Sequence, residues 1–208
     1  MNAQMSTLVE RRIVPVVVLE HWRDADPLGA ALVDGGLPVA EVTLRTKGAL
    51  EAIRALAARG DLIVGAGTVT DARQVDQVVA AGASFVVSPG LSSAVVERCR
   101  ESGVSVIPGA VTATEVQAAI EAGLDTVKFF PAATSGGPAA IRALSAPFAG
   151  VSFMPTGGIS PANLQDYLSI PAVVAAGGSW MVSPAMIAAG DFAGITEITA
   201  QAIALAQA

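Results

Sequence analysis

Thr126-Val127-Lys128-Phe129-Phe130-Pro131-Ala132 reads as a short strand that carries a lysine between apolar neighbours and is stopped by a proline. Outward from it, runs of the same kind recur along the chain. IVPVVVL begins near Ile13, VAEVTL near Val39, LIVG near Leu62, FVVS near Phe85 and SVIP near Ser105. TVKFF begins at Thr126, SFMP near Ser152 and VVAA near Val173, so the steps are 20 to 26 residues. Between them lie segments of helical character, such as Ala49 to Arg59 (ALEAIRALAAR) and Ala113 to Ala122 (ATEVQAAIEA). Several end at Gly60, Gly82, Gly103 or Gly123, as helix C-termini tend to.

Strand then helix, eight times over with short connections, means parallel strands joined by right-handed crossovers. In this length the pattern predicts an α/β fold: a single-domain, compact (β/α)8 TIM barrel over residues 13–208, preceded by a loose tail over 1–12. The competing arrangement is a doubly wound open sheet. Its Gly-rich nucleotide fingerprint is missing after the first run, where Leu19-Glu20-His21-Trp22 stands instead. A barrel also makes a demand: catalytic groups should gather at the C-terminal ends of the strands.

Composition narrows the function classes. Of 208 residues, 52% are hydrophobic and only 14% charged, which predicts a core of small branched side chains and some surface buried against other subunits. The net charge of −6, with no basic run, argues against a nucleic-acid partner. Cys99 is the single cysteine, so there is no internal disulfide and no zinc cluster, as expected of a reducing cytoplasm. His21 is the single histidine, too few for a multi-histidine metal site. The first residues show no charged-then-apolar run with a small-residue cleavage site, so no signal segment is expected. The 24 uncharged residues between Asp166 and Asp191 are broken by Pro171, Gly177, Gly178 and Pro184, so a spanning helix and a membrane partner are not expected.

The chain has two lysines, Lys47 and Lys128, among twelve cationic side chains. A lysine kept inside an apolar strand offers a primary amine that attacks a carbonyl once deprotonated; the bland alternative is a strand-end lysine that snorkels to solvent. In the second run Glu41, Thr43 and Arg45 share one face and Ala40, Val42 and Leu44 the other. The aliphatic face suits helices, which turns the polar face into the barrel, either as a structural Glu–Arg pair or as working groups. If Lys128 also points inward, Glu41 and Lys128 enter one cavity from different strands. Lysine, carboxylate and arginine together suit imine chemistry on an α-keto acid.

The third run ends in Gly65-Ala66-Gly67-Thr68, whose glycines permit close approach and whose hydroxyl could meet a substrate carboxylate; Thr70-Asp71 reads equally as a cap for the next helix. Ser88-Pro89-Gly90 and Pro108-Gly109 could be turn chemistry alone. The last two runs end in Pro155-Thr156-Gly157-Gly158-Ile159-Ser160 and Gly177-Gly178-Ser179-Trp180. Paired glycines after strands seven and eight of a barrel offer backbone N–H groups to a phosphate.

Taken in order, EVTLRT, VGAGTV, VSPG, IPG, KFFPA, PTGGIS and GGSW resemble the 2-keto-3-deoxy-6-phosphogluconate (KDPG) aldolases, which also act as 4-hydroxy-2-oxoglutarate (KHG) aldolases. The resemblance runs from about Val14 to the C-terminal helix. It implies a homotrimeric (β/α)8 barrel and a class I aldolase of the Entner–Doudoroff pathway, with a small phosphorylated keto acid as substrate and no metal or organic cofactor. Carried over by motif, Lys128 is the Schiff-base lysine and Glu41 the general acid/base. Arg45 binds the substrate carboxylate, Thr68 makes a further contact, and Pro89 and Phe130 line the pocket. Gly157, Gly158, Gly178 and Ser179 meet the phosphate end, and Thr156 also binds substrate. The family commonly continues KFFPA with a glutamate where this chain has Ala133, which puts substrate preference in question. Two rivals stay open: an aldolase for the galactonate epimer, against which Ser179 weighs, and a phosphate-binding barrel without chemistry.

Overall fold

A computed structural model of the protein describes residues 3–208. Eight parallel strands alternate with helices: β1 (Ile13–Val17), β2 (Val39–Thr43), β3 (Ile63–Gly67), β4 (Phe85–Val87), β5 (Ser105–Ile107), β6 (Thr126–Phe129), β7 (Ser152–Pro155) and β8 (Ala176–Gly178). The crossovers carry α2 (Ala25–Asp34), α3 (Ala49–Arg59), α4 (Ala72–Ala80), α5 (Ser93–Glu101), α6 (Ala113–Glu121), α7 (Gly137–Ser145) and α8 (Leu164–Leu168). After β8 come α9 (Pro184–Ala188) and α10 (Phe192–Gln207), and ahead of β1 stands α1 (Ala3–Arg11). Among the described residues no helix is long and apolar enough to cross a membrane.

Six strands pair in the order β5-β4-β3-β2-β1-β8, and β6 pairs with β7. Isolated parallel bridges join the two sheets on both sides, Gly109 to Lys128 and Thr156 to Gly177, which closes the ring. The fold is the expected (β/α)8 barrel rather than the open doubly wound sheet.

Strand alternation divides the interior into two cores. Ala40, Val42, Val64, Ala66, Val86, Val127, Phe129 and Phe153 face the helices. Val14, Val39, Phe85, Val87, Ile107, Met154 and Ala175 fill the barrel itself. Phe85 is the largest of these inner residues, and burying a side chain of that size contributes about 1.5–3 kcal/mol. Its ring occupies the place where a Cβ on Gly65 would lie, 2.1 Å from the nearest ring atom. The close approach foreseen for this glycine is therefore made by a neighbouring ring.

The helices stop and start where local chemistry directs. Gly60 closes α3 in the left-handed conformation (φ 75°), which costs glycine no Cβ clash. Thr112 and Glu115 form a reciprocal capping box at α6. Burial pushes the Glu115 carboxyl up, but hydrogen bonds from the Val111 and Thr112 N–H groups and the Thr112 hydroxyl outweigh it and hold the group below the usual carboxylate range. Asp71 accepts from the Gln74 N–H at 2.8 Å, so the helix cap foreseen after the third strand is real.

Two segments differ from the expected pattern. The stretch expected as a tail forms α1 over Ala3–Arg11, while Met1 and Asn2 lie outside the described residues. Leu8 of α1 is buried with the inner barrel core, so hydrophobic packing at the barrel's N-terminal end orders this segment. The eighth strand begins at Ala176 rather than Val173, because pairing with β1 starts at Ile13–Ala176; Val173 instead bridges to Phe153.

Candidate active site

Parallel registers bring Val16, Glu41 and Gly65 side by side across β1, β2 and β3. From that level the Glu41 side chain leans toward the C-terminal end of the barrel and reaches over Gly67. A Cβ on Gly67 would stand 2.3 Å from Glu41 Oε1, so only glycine leaves room for the carboxylate there. On β6, Lys128 sits between flanking backbone bonds, its N–H donating to the Pro108 carbonyl and its own carbonyl accepting from the Ala110 N–H. Its ammonium donates to Glu41 Oε1 at 3.1 Å across 87 positions of sequence.

Glu41 is fully buried and the Lys128 side chain is 5% exposed, so the lysine does not snorkel. Two charges taken out of water in this way need each other, and removing either leaves the other uncompensated. The second oxygen, Glu41 Oε2, has no hydrogen-bond partner. An unsatisfied buried carboxylate oxygen beside an amine is an expensive arrangement, and an oxygen so placed is able to accept a proton. On the other side the Lys128 ammonium lies 5.1 Å from the centroid of the Phe130 ring, a cation–π contact.

Phe130 joins this pair to a pocket of about 190 Å³ at the C-terminal end of the strands. Arg45, Phe130, Thr156, Gly157, Gly158, Gly178 and Ser179 line it, seven of the residues expected at a substrate site. Arg45 lies beyond the end of β2, exposed at the mouth, and makes no ion pair with Glu41. Glu41 is partnered by Lys128, so the structural Glu–Arg pair is not what forms. Thr43 is buried and its hydroxyl donates to the Val17 carbonyl, which leaves it a structural role.

The two glycine loops work differently. Gly157 and Gly158 both have left-handed backbones (φ 99° and 77°), a conformation open to glycine and strained for other residues. Gly177 and Gly178 belong to β8, and room is the reason for them. A Cβ on Gly177 would meet Thr156 Oγ1 at 2.4 Å, and one on Gly178 would enter the Trp180 ring. Thr156 Oγ1 is buried without a partner, and Ser179 stands exposed at the pocket.

Two expected contacts fall outside this pocket's lining. Thr68, just after β3, is half-buried with φ 60°, an unusual conformation for a β-branched residue and a local strain of about 1–3 kcal/mol. Pro89, just after β4, is exposed, and its carbonyl lies where a Cβ on Gly109 would stand. The pocket also takes in Val16, Val18, Ile159, Val182 and Pro184, apolar residues with no chemical signature in sequence. Asn163, which holds the Gly158 loop, was equally unmarked, because an asparagine ahead of a helix reads as an ordinary cap.

A larger cavity of about 470 Å³ opens at the opposite end, among Ser105, Thr126 and Ser152 at the strand N-termini. Barrel chemistry belongs to the other face, where Phe130 both touches Lys128 and lines the smaller pocket. Cys99 is no rival nucleophile: it is fully buried, and burial pushes its thiol up to about 11.

The chain matches the family described as "Aldolase: KDPG and KHG aldolase" over residues 5–198. It belongs to the KDPG and KHG aldolase family. The 2-dehydro-3-deoxy-phosphogluconate aldolase of Treponema pallidum is 49% identical over 193 residues, 92% of each chain. The KHG/KDPG aldolase of Escherichia coli K12 is 44% identical over 199 residues, 95% of this chain and 93% of that one. Among solved structures, the KDPG aldolase of Legionella pneumophila, with pyruvate captured at low pH as a covalent carbinolamine intermediate, superimposes with a TM-score of 0.93. It is 38% identical and the match covers 97% of this chain and 98% of that one. The KDPG and KHG aldolase family is thus matched over nearly the whole length, including every strand that carries the lysine, the carboxylate and the glycine loops.

Proposed function

We propose that the protein is a class I, Schiff-base aldolase that cleaves 2-keto-3-deoxy-6-phosphogluconate to pyruvate and glyceraldehyde 3-phosphate, with Lys128 as nucleophile and Glu41 as acid/base. The observation that carries this reading is the buried contact of 3.1 Å between Lys128 Nζ and Glu41 Oε1, with Oε2 left unbonded beside it.

The chemistry follows from those two groups. The Lys128 amine attacks the C2 ketone, and Glu41 relays protons so that the carbinolamine loses water and becomes a protonated imine. Glu41 takes the proton from the C4 hydroxyl as the C3–C4 bond breaks and its electron pair moves through C3–C2 onto the imine nitrogen. Glyceraldehyde 3-phosphate leaves. The enamine is protonated at C3, and hydrolysis of the imine frees pyruvate and restores the amine. The imine serves as the electron sink throughout. Arg45, at the pocket mouth, suits the substrate carboxylate, and the Gly157–Gly158 loop with Ser179 suits the phosphate. Thr68 and Pro89 complete the keto-acid end in this reading.

4-Hydroxy-2-oxoglutarate, which lacks the phosphate end, is a second substrate and gives pyruvate and glyoxylate. The protein acts in the cytoplasm as a homotrimer, in the Entner–Doudoroff pathway. Its single buried cysteine suits a reducing compartment, and its low charge content suits a surface shared between subunits.

Incubation with pyruvate and borohydride tests the assignment. One reduced pyruvyl group should appear on the peptide that contains Lys128. No adduct, or an adduct on Lys47, would sink it. The packing makes a further prediction. Gly67→Ala forces the Glu41 carboxylate aside, and a shift near 1 Å should lower kcat by about 10²-fold while the lysine still forms the pyruvate adduct. Unchanged kcat would mean that the Glu41 position is not critical.

A further inference from the structure

Hydrogen bonds from outside the pocket hold the Gly157–Gly158 turn. Asn163 occupies the N-cap position of α8, yet its side chain makes no capping hydrogen bond to that helix. Both of its ends turn back instead: Nδ2 donates to the Gly158 carbonyl at 2.9 Å, and Oδ1 accepts from the Ser160 N–H at 2.9 Å. The Ala133 N–H in turn donates to the Gly157 carbonyl at 3.0 Å. Two consecutive carbonyls are thus tied to groups that are not part of the pocket lining, while Gly157, Gly158 and Ile159 line it. In a trans peptide the N–H points opposite the C=O. The Gly158 and Ile159 N–H groups make no hydrogen bond within the described residues; the first is therefore turned away from Ala133 and the second from Asn163.

We infer that Asn163 is a positioning residue for the phosphate end of the substrate, locking the Gly158 carbonyl outward so that the Gly158 and Ile159 N–H groups face the bound anion. The inference rests on the aldolase reading and extends it, because Asn163 does not line the pocket. An asparagine is required by the chemistry: the site needs a donor for one backbone carbonyl and an acceptor for a backbone N–H three residues from its own position. Aspartate keeps the acceptor and the shape but sets an oxygen against the Gly158 carbonyl. Alanine loses both bonds.

Asn163→Asp and Asn163→Ala are compared with wild type on 2-keto-3-deoxy-6-phosphogluconate and on 4-hydroxy-2-oxoglutarate, with thermal melting run alongside. KM for the phosphorylated substrate should rise about tenfold in both variants, equivalent to about 1.4 kcal/mol of lost binding. Both kcat values, and KM for the unphosphorylated substrate, should stay within about twofold. A merely structural asparagine would move both substrates together. Proportional losses on both, or an Asn163→Asp protein that matches wild type, would overturn the inference while leaving the aldolase reading in place. A wild-type protein that cleaves neither substrate would overturn the aldolase reading and this inference with it.

Discussion

Lys128→Arg should abolish turnover, by on the order of 10⁴-fold or more, and should give no borohydride-trapped pyruvate. The substitution keeps a positive charge opposite Glu41 and a cation near the Phe130 ring. What it removes is a primary amine, since a guanidinium holds its proton at any working pH and forms no imine with a ketone. The result therefore separates nucleophile from counterion. If Lys128 were only the buried partner of Glu41, arginine would serve nearly as well and activity would survive. Turnover above about 1% of wild type in a melting-competent Lys128→Arg protein would reject covalent catalysis at this position.

Glu41→Gln carries the second-largest expected effect. The amide fills nearly the same volume over Gly67 and can still accept from Lys128, so the geometry is preserved while proton transfer is lost. General acid–base catalysis of this kind contributes about 10²–10⁴-fold, and kcat should fall by that much. Stability should fall too, because the ammonium loses its only ionised partner among the described residues. Breaking one side of a buried pair costs on the order of 3–5 kcal/mol. Thermal melting and kcat measured on one preparation read both effects. The two should part company in the trapping assay: Glu41→Gln should still form the pyruvate adduct, only more slowly. An unchanged kcat would remove Glu41 from the mechanism.

Much of the architecture was legible because the barrel writes itself locally. Most strands fall in short apolar runs, several rich in valine and isoleucine, and the helices between them carry local start and stop signals, such as the Thr112–Glu115 box that opens α6 and Gly60 that closes α3. Residues 3–11 escaped that logic. Their helix is held by what Leu8 packs against at the base of the barrel, and no local signal announces such a contact. The start of β8 slipped by three residues for a related reason, since the partner strand and not the valine pair at Val173 decides where pairing begins.

At the site, alternation along β2 with its aliphatic face toward the helices was enough to turn Glu41 inward, whereas alternation along β6 left the inward face of Lys128 conditional until the structure placed it against Glu41. Their partnership was not legible locally. Parity puts Arg45 on the same face as Glu41, but Arg45 lies past the end of β2, out at the rim, while Lys128 lies deep in the ring on another strand. Depth is set by register and by barrel closure, which are long-range quantities. The same holds for Gly67, whose missing Cβ makes room for a carboxylate two strand positions back on its neighbour, and for Asn163, which looks like a helix cap and ties a loop instead. The chain by itself determined the eight-fold alternation, the inward carboxylate, and the paired glycines after the last two strands. Only the tertiary structure decided which charges meet and which atoms stay unbonded, because those depend on distances between strands that sequence order does not contain.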